Sequence, residues 1–82
     1  MFYVYVLWSN SLGRTYTGST KDVTERLLRH NAGHSKSTKA GTPWILVYKE
    51  EFLTRSEAMD RECHYKTGHG REELNRLIPP MV

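Results

Sequence analysis

Residues 2–18 read Phe2-Tyr3-Val4-Tyr5-Val6-Leu7-Trp8-Ser9-Asn10-Ser11-Leu12-Gly13-Arg14-Thr15-Tyr16-Thr17-Gly18, and their interpretation decides the fold. Positions 2–8 are almost all β-branched or aromatic, the composition of a strand buried on both faces. Ser9 to Gly13 is turn chemistry, and Arg14 to Gly18 is a second short strand that stops at a glycine. Two strands joined by a short polar connection predict a hairpin, so the sheet is at least partly antiparallel.

Outward from the hairpin, Asp22-Val23-Thr24-Glu25 starts a helix, with Asp22 as N-cap and Glu25 as its capping-box partner. It runs to about Ala32 and stops at Gly33. Residues 33–43 form a polar, basic loop without periodicity, long enough to suggest a function. Trp44–Phe52 returns to strand composition. Thr54-Arg55-Ser56-Glu57 is a second capping box, with Leu53 placed to staple onto Ala58. That helix is expected to end near Gly68, and a last short one, about Arg71–Leu77, is stopped by Pro79-Pro80. The order β-β-α-β-α-α gives an α+β class fold in one domain spanning 1–82.

Twelve Lys and Arg against nine Asp and Glu give a net charge of +3 and a pI near 9.2. This is mildly basic, and compatible with a nucleic-acid partner without requiring one. The single cysteine, Cys63, excludes an intramolecular disulfide and fits a reducing compartment. There is no apolar run of the length of a membrane span, and the N-terminus lacks the basic region of a signal peptide, so the expected location is cytoplasmic.

Four features carry possible chemistry. Glu62 falls on the apolar side of its helix, between Ala58 and Met59 before it and Tyr65 after it. An unpaired carboxylate there costs several kcal/mol, about the scale for a desolvated charge, so it needs a counter-charge, a metal or a proton. The competing reading is a structural ion pair. Arg26 and His30 lie one turn apart, flanking the Val23/Leu27 core stripe. A guanidinium there can hold a phosphate, and an imidazole can relay a proton. The plainer reading is packing. Tyr5 and Tyr16, on adjacent strands, can share a face, and a phenol beside a cation can lose its proton below its usual value. Gly18, before the helix start, lets a backbone approach closely, and Lys21, Lys36 and Lys39 add positive charge for phosphate contacts. His30 and His34 have a zinc-like spacing, but Gly33 interrupts the helix. Cys63 is read as a packing residue at the margin of the apolar side.

Taken together, Val4-Tyr5-Val6 followed by Tyr16-Thr17-Gly18 resembles the paired tripeptides of the GIY-YIG endonucleases. Arg26 and His30 follow in an Arg-x-x-x-His-Asn-x-Gly run, and Glu62 closes Ser56-Glu57-Ala58-Met59-Asp60-Arg61-Glu62. The pattern is closest to the small stand-alone bacterial members. The resemblance implies a three-stranded antiparallel sheet flanked by helices and one divalent cation, Mg²⁺ or Mn²⁺, on Glu62. It also implies a phosphate on Arg26, two tyrosines lining the site and His30 assisting proton transfer. The implied substrate is DNA, branched or single-stranded forms included, cut with little sequence preference, in repair or recombination. Val replaces both Gly and Ile in the first tripeptide, and Thr replaces Ile in the second. Asn75 and Lys66 are available for the late Asn or basic residue that some members use. Two other readings are a binding module without turnover and a subunit that waits for a partner protein. The mark of the second would be an apolar patch at Trp44 or at the Ile78-Pro79-Pro80-Met81 tail.

Overall fold

The computed structural model describes residues 1–34 and 36–78, without the side chain at position 37. Strands β1 (Phe2–Ser9) and β2 (Arg14–Thr20) are followed by helix α1 (Val23–Asn31) and the single-turn helix α2 (Lys36–Lys39). Strand β3 (Trp44–Phe52) and helices α3 (Arg55–Tyr65) and α4 (Gly68–Leu77) complete the chain. The sheet has the order β2-β1-β3, antiparallel throughout. The expected β-β-α-β-α-α order and α+β class are therefore observed. Among the described residues no helix is long and apolar enough to cross a membrane.

As the central strand, β1 is buried on both faces, and two core clusters follow from its alternation. Val4 and Val6 point to one face and pack with Ala58 and Tyr65 of α3 and Leu74 of α4. Tyr5 and Leu7 point to the other and pack with Val23 of α1 and Trp44. Strand β3 serves both clusters because its register shifts between Val6 and Leu7, which face Tyr48 and Leu46 and leave Val47 as the extra residue. One inserted residue reverses the face of everything beyond it. Trp44 and Leu46 thus join Leu7 on the α1 side, while Tyr48 and Phe52 join Val6 on the α3 side.

Both predicted N-caps form, but only one of the two capping boxes closes: at α1 the Glu25 carboxylate turns to Arg29 and the Asp22 N–H donates to Thr20 Oγ1 instead. The Asp22 side chain accepts the Glu25 N–H. Thr54 and Glu57 close a reciprocal capping box. Helix α1 stops at Gly33, whose φ of 77° lets the N–H groups of Gly33 and His34 return to the carbonyls of His30 and Arg29.

Several expectations change. The basic loop contains α2, held in place by buried Thr38. Leu53 is 76% exposed and makes no staple. Met59 and Cys63 are exposed, so the buried stripe of α3 is narrower than its angular pattern suggests and centres on Ala58 and Tyr65. Helix α3 ends at Tyr65, and α4 begins at Gly68, three residues earlier than expected. Thr67 caps it by accepting the Gly70 N–H. Gly70 lies so close to the end of α3 that a β-carbon would collide with the His64 carbonyl. Trp44 is buried, its indole N–H donating to the Thr38 carbonyl at 2.7 Å, so no apolar patch forms there. Residues 79–82, the rest of the proposed apolar tail, lie outside the described residues.

Candidate active site

The hairpin register builds the first half of the site. Tyr5 pairs with Gly18 and Leu7 with Tyr16, so the two tyrosines are diagonal neighbours on the α1 face, with ring centroids 6.3 Å apart. Gly18 was expected to let a phosphate approach. What approaches it is Tyr5: a β-carbon at Gly18 would stand 2.6 Å from the Tyr5 hydroxyl.

Helix α1 supplies Arg26 and His30 to the same face. His30 is buried, and both ring nitrogens are engaged. Nε2 is 3.1 Å from the Tyr5 hydroxyl and Nδ1 is 2.8 Å from Thr38 Oγ1. The Tyr16 ring stands edge-on to the imidazole at 4.9 Å. Burial, and then the charge of Arg26, lowers the pKa of His30 below its usual 6.5. The ring is therefore a neutral imidazole near pH 7, matched to hydroxyl partners on both sides. Thr38 was not identified from sequence. Asn31 was part of the Arg-x-x-x-His-Asn-x-Gly run, and it clamps the backbone of Trp44 through both its amide atoms.

Burial raises the pKa of the Tyr5 hydroxyl, and the neighbouring Tyr16 and the Glu62 charge add to this. Arg26 acts in the opposite direction but does not prevail. Among the protein's own groups, desolvation thus outweighs the nearby Arg26 charge, and the Tyr5 phenol holds its proton. Arg26 itself has a notable vacancy in its hydrogen bonding. Its Nε is buried and has no hydrogen-bond partner among the described residues. A buried donor left unpaired costs about 1–3 kcal/mol, more when charged.

Glu62 comes from the opposite side of the sheet. Ser19 pairs with Val4 and so faces α3, where its hydroxyl donates to Glu62 Oε1 at 2.7 Å. Oε2 accepts from Lys66 Nζ at 2.7 Å. The Glu62 side chain is 22% exposed, at the edge of the buried stripe rather than in its middle. Carboxylate and phenols thus converge on the Gly18–Ser19 edge of β2 from its two faces. A cavity of about 410 Å³ at this edge is lined by Ser19, Lys21, Arg26 and, from α3, Ala58 and Met59. A larger groove of about 590 Å³, toward the Arg14 end of β2, is lined by Tyr16, Thr17 and Lys66 among others. Of the lysines singled out from sequence, Lys21 lines the smaller cavity, while Lys36 and Lys39 line neither.

Among the described residues there is no cluster of three or more His, Cys, Asp or Glu side chains able to hold a metal. That excludes a preformed cage of protein ligands but not a hydrated Mg²⁺. Such an ion keeps several waters and is bound through one or two carboxylates plus substrate phosphates. Glu62 fits this role once Lys66 releases it. Glu62 reaches the smaller cavity only through Ser19, and the two carboxylates that line it are committed, Asp22 to the α1 cap and Glu25 to Arg29.

A second polar cluster, not foreseen from sequence, lies on the α3 side. Glu50 accepts from the hydroxyls of Tyr48 and Tyr65 and from Arg61 Nε at 3.1 Å. Arg61 also reaches Glu73 at 2.7 Å, and Glu73 holds His64. Burial pushes the Glu50 pKa up, but hydrogen bonds from Tyr48, Tyr65 and Arg61 prevail and leave it below the usual carboxylate value. This network ties β3 and α4 to the helix that carries Glu62.

The strands and helices that carry these residues all lie within the match to a known family. Residues 1–75 match the model of the GIY-YIG catalytic domain. The chain belongs to the GIY-YIG nuclease family. A UPF0213 protein of Staphylococcus epidermidis is 41% identical over 92% of each chain, and one of Staphylococcus haemolyticus is 44% identical over the same shares. The solution NMR structure of a UPF0213 protein from Bacillus halodurans is similar at a TM-score of 0.57 and 36% identity. It covers 94% of this chain and 85% of that one. The substitutions in the GIY-YIG tripeptides are explained by the fold. Val4 and Val6 point into the α3-side core, and Thr17 pairs with Val6 on that same face. The tyrosines point the other way.

Proposed function

We propose that this GIY-YIG domain is a divalent-cation-dependent DNA endonuclease that hydrolyses phosphodiester bonds, nicking DNA with little sequence specificity. The observation that carries the reading is the unpaired, buried Nε of Arg26 at a cavity that borders the Glu62–Ser19 contact. A guanidinium with an unused donor in a partly desolvated site is suited to a phosphate oxygen.

In this reading Arg26 binds the scissile phosphate and stabilises the charge that grows on its oxygens as water attacks phosphorus and the leaving P–O bond breaks. Tyr16, which lines the open groove, orients the attacking water. At rest Tyr5 keeps its proton and donates to His30 Nε2, and Thr38 fixes the other imidazole nitrogen. His30 is then a neutral group whose Nε2 can take the Tyr5 proton while the Tyr5 oxygen accepts one from the site, so that Tyr5 is protonated before and after. Glu62 would hold the Mg²⁺ or Mn²⁺, whose contribution when bound is Lewis acidity and stabilisation of the leaving oxygen. Contacts from Arg26 and Lys21 to phosphates carry no sequence information of their own, which supports weak sequence preference. Nicks of this kind belong to DNA repair and recombination, the roles that the resemblance implies.

The test is incubation with supercoiled plasmid, and separately with branched and single-stranded DNA, in Mg²⁺ or Mn²⁺. Open circles that form with the cation and not with chelator support the nuclease. Salt-sensitive binding without any cation-dependent cut would leave a binding module instead.

A further inference from the structure

We propose that the larger groove beside β2 holds a single DNA strand, with Arg14 and Arg71 binding the phosphates that extend away from the cut. The direction of the strand relative to the cut rests on the nuclease reading; the binding does not. One wall of the groove is β2 itself, through Arg14, Thr15, Tyr16 and Thr17, and Lys66 and Arg71 lie across from it. No Asp or Glu lines it.

Of its three cations, Lys66 is tied to Glu62. Arg14 and Arg71 are exposed and, among the described residues, have no carboxylate partner. Other arginines are engaged: Arg29 with Glu25, and Arg61 with Glu50 and Glu73. Two uncommitted guanidiniums in a groove without acidic residues attract a polyanion.

The shape selects the form of that polyanion. Strand β2 is an edge strand, about 20 Å long at the usual rise. The groove occupies its Arg14–Thr17 end, and the smaller cavity its Ser19–Lys21 end, with the Glu62 contact at Ser19. A ligand that fills both must be extended and carry repeated negative charges. The groove, at about 590 Å³, is the size of a small-molecule site, suited to unstacked nucleotides of one strand and too confined to enclose a duplex.

The test measures fluorescence anisotropy of a labelled oligothymidylate with the Glu62→Gln protein in chelator, so that neither cutting nor metal enters the readout. Arg14→Ala and Arg71→Ala should each weaken binding about five-fold at ~0.1 M salt and make the log–log salt slope shallower by about 0.7, the value for one lost phosphate contact on single strands. Arg76→Ala, exposed and outside both cavities, should leave both unchanged, and circular dichroism confirms that each variant is folded. Failure of the Glu62→Gln parent to bind, or unchanged affinity and slope in the Arg14→Ala Arg71→Ala double variant, overturns the proposal. If that happens while the unmutated protein still nicks plasmid, only the strand path is wrong. If the variants weaken binding but no cation supports cutting, the groove stands and the nuclease reading falls.

Discussion

The hydroxyl of Tyr5 stands 2.6 Å from the point where a β-carbon on Gly18 would lie. The third residue of the second tripeptide is therefore a glycine because the tyrosine of the first needs the space above it. Gly18→Ala must push a buried ring that also holds His30. Overpacking of this kind costs about 1–3 kcal/mol, read as a lower urea midpoint. Tyr5→Phe removes the closest atom, so the double variant should be more stable than the sum of the single losses predicts. Strict additivity would show that the two residues do not interact in this way.

Stability should depend on the protonation of His30. Its folded pKa lies below 6.5 through burial and the Arg26 charge, so the unfolded chain binds the proton more tightly. The resulting stability is present above pH 6.5 and is lost as pH falls from there toward the folded value. NMR titration should place the His30 ring below 6.5. The decline in melting temperature from pH 7 to pH 5 should be smaller in His30→Gln. A ring that titrates above 6.5 would contradict the assignment of a neutral imidazole.

The Glu50 cluster makes a separate prediction. Breaking a buried ion pair costs about 3–5 kcal/mol, but Arg61 is 32% exposed and Glu50 20%. Arg61→Met should therefore cost less, about 1–3 kcal/mol, measured by urea unfolding at pH 7. Because the Glu50 pKa is held below 4.5, the carboxylate's contribution exists above that value and disappears as pH falls through the folded one. An unchanged urea midpoint would mean that the cluster forms no working tie between β3, α3 and α4.

Lys66 is a fourth test. It neutralises Glu62 Oε2, so a cation on that carboxylate has to displace it. Lys66→Met should raise Mn²⁺ affinity, measured by electron paramagnetic resonance without DNA. Glu62→Gln should abolish the site in either background. Equal Mn²⁺ affinity in Lys66→Met and the unmutated protein would place the ion elsewhere.

Much of this arrangement could be read locally. The double-sided burial of β1 follows from an unbroken β-branched and aromatic run, and the caps at Asp22 and Thr54 from hydrogen bonds that span three residues. What escaped depends on distant parts of the chain. The Val47 bulge sends Trp44 and Tyr48 to opposite faces, and no period-two pattern shows that. Thr38 gains its role only because α2 folds back over His30. Angular spacing placed Met59 on the inner side of α3, yet it is exposed, because spacing does not reveal where the sheet lies beneath the helix. The site residues were legible for a different reason: a family resemblance carries long-range contacts that a single helix or strand does not.

The central claim is that Glu62 and Arg26 act on one phosphate, and single-turnover nicking of supercoiled plasmid in Mn²⁺ tests it most directly. Glu62→Gln and Arg26→Ala should each slow the cut by at least about 10²-fold, the scale of losing one charge-stabilising group, while Arg76→Ala, outside both cavities, nicks at the unmutated rate. Nicking that survives in Glu62→Gln at that same rate, with Mn²⁺ still required, would contradict the account.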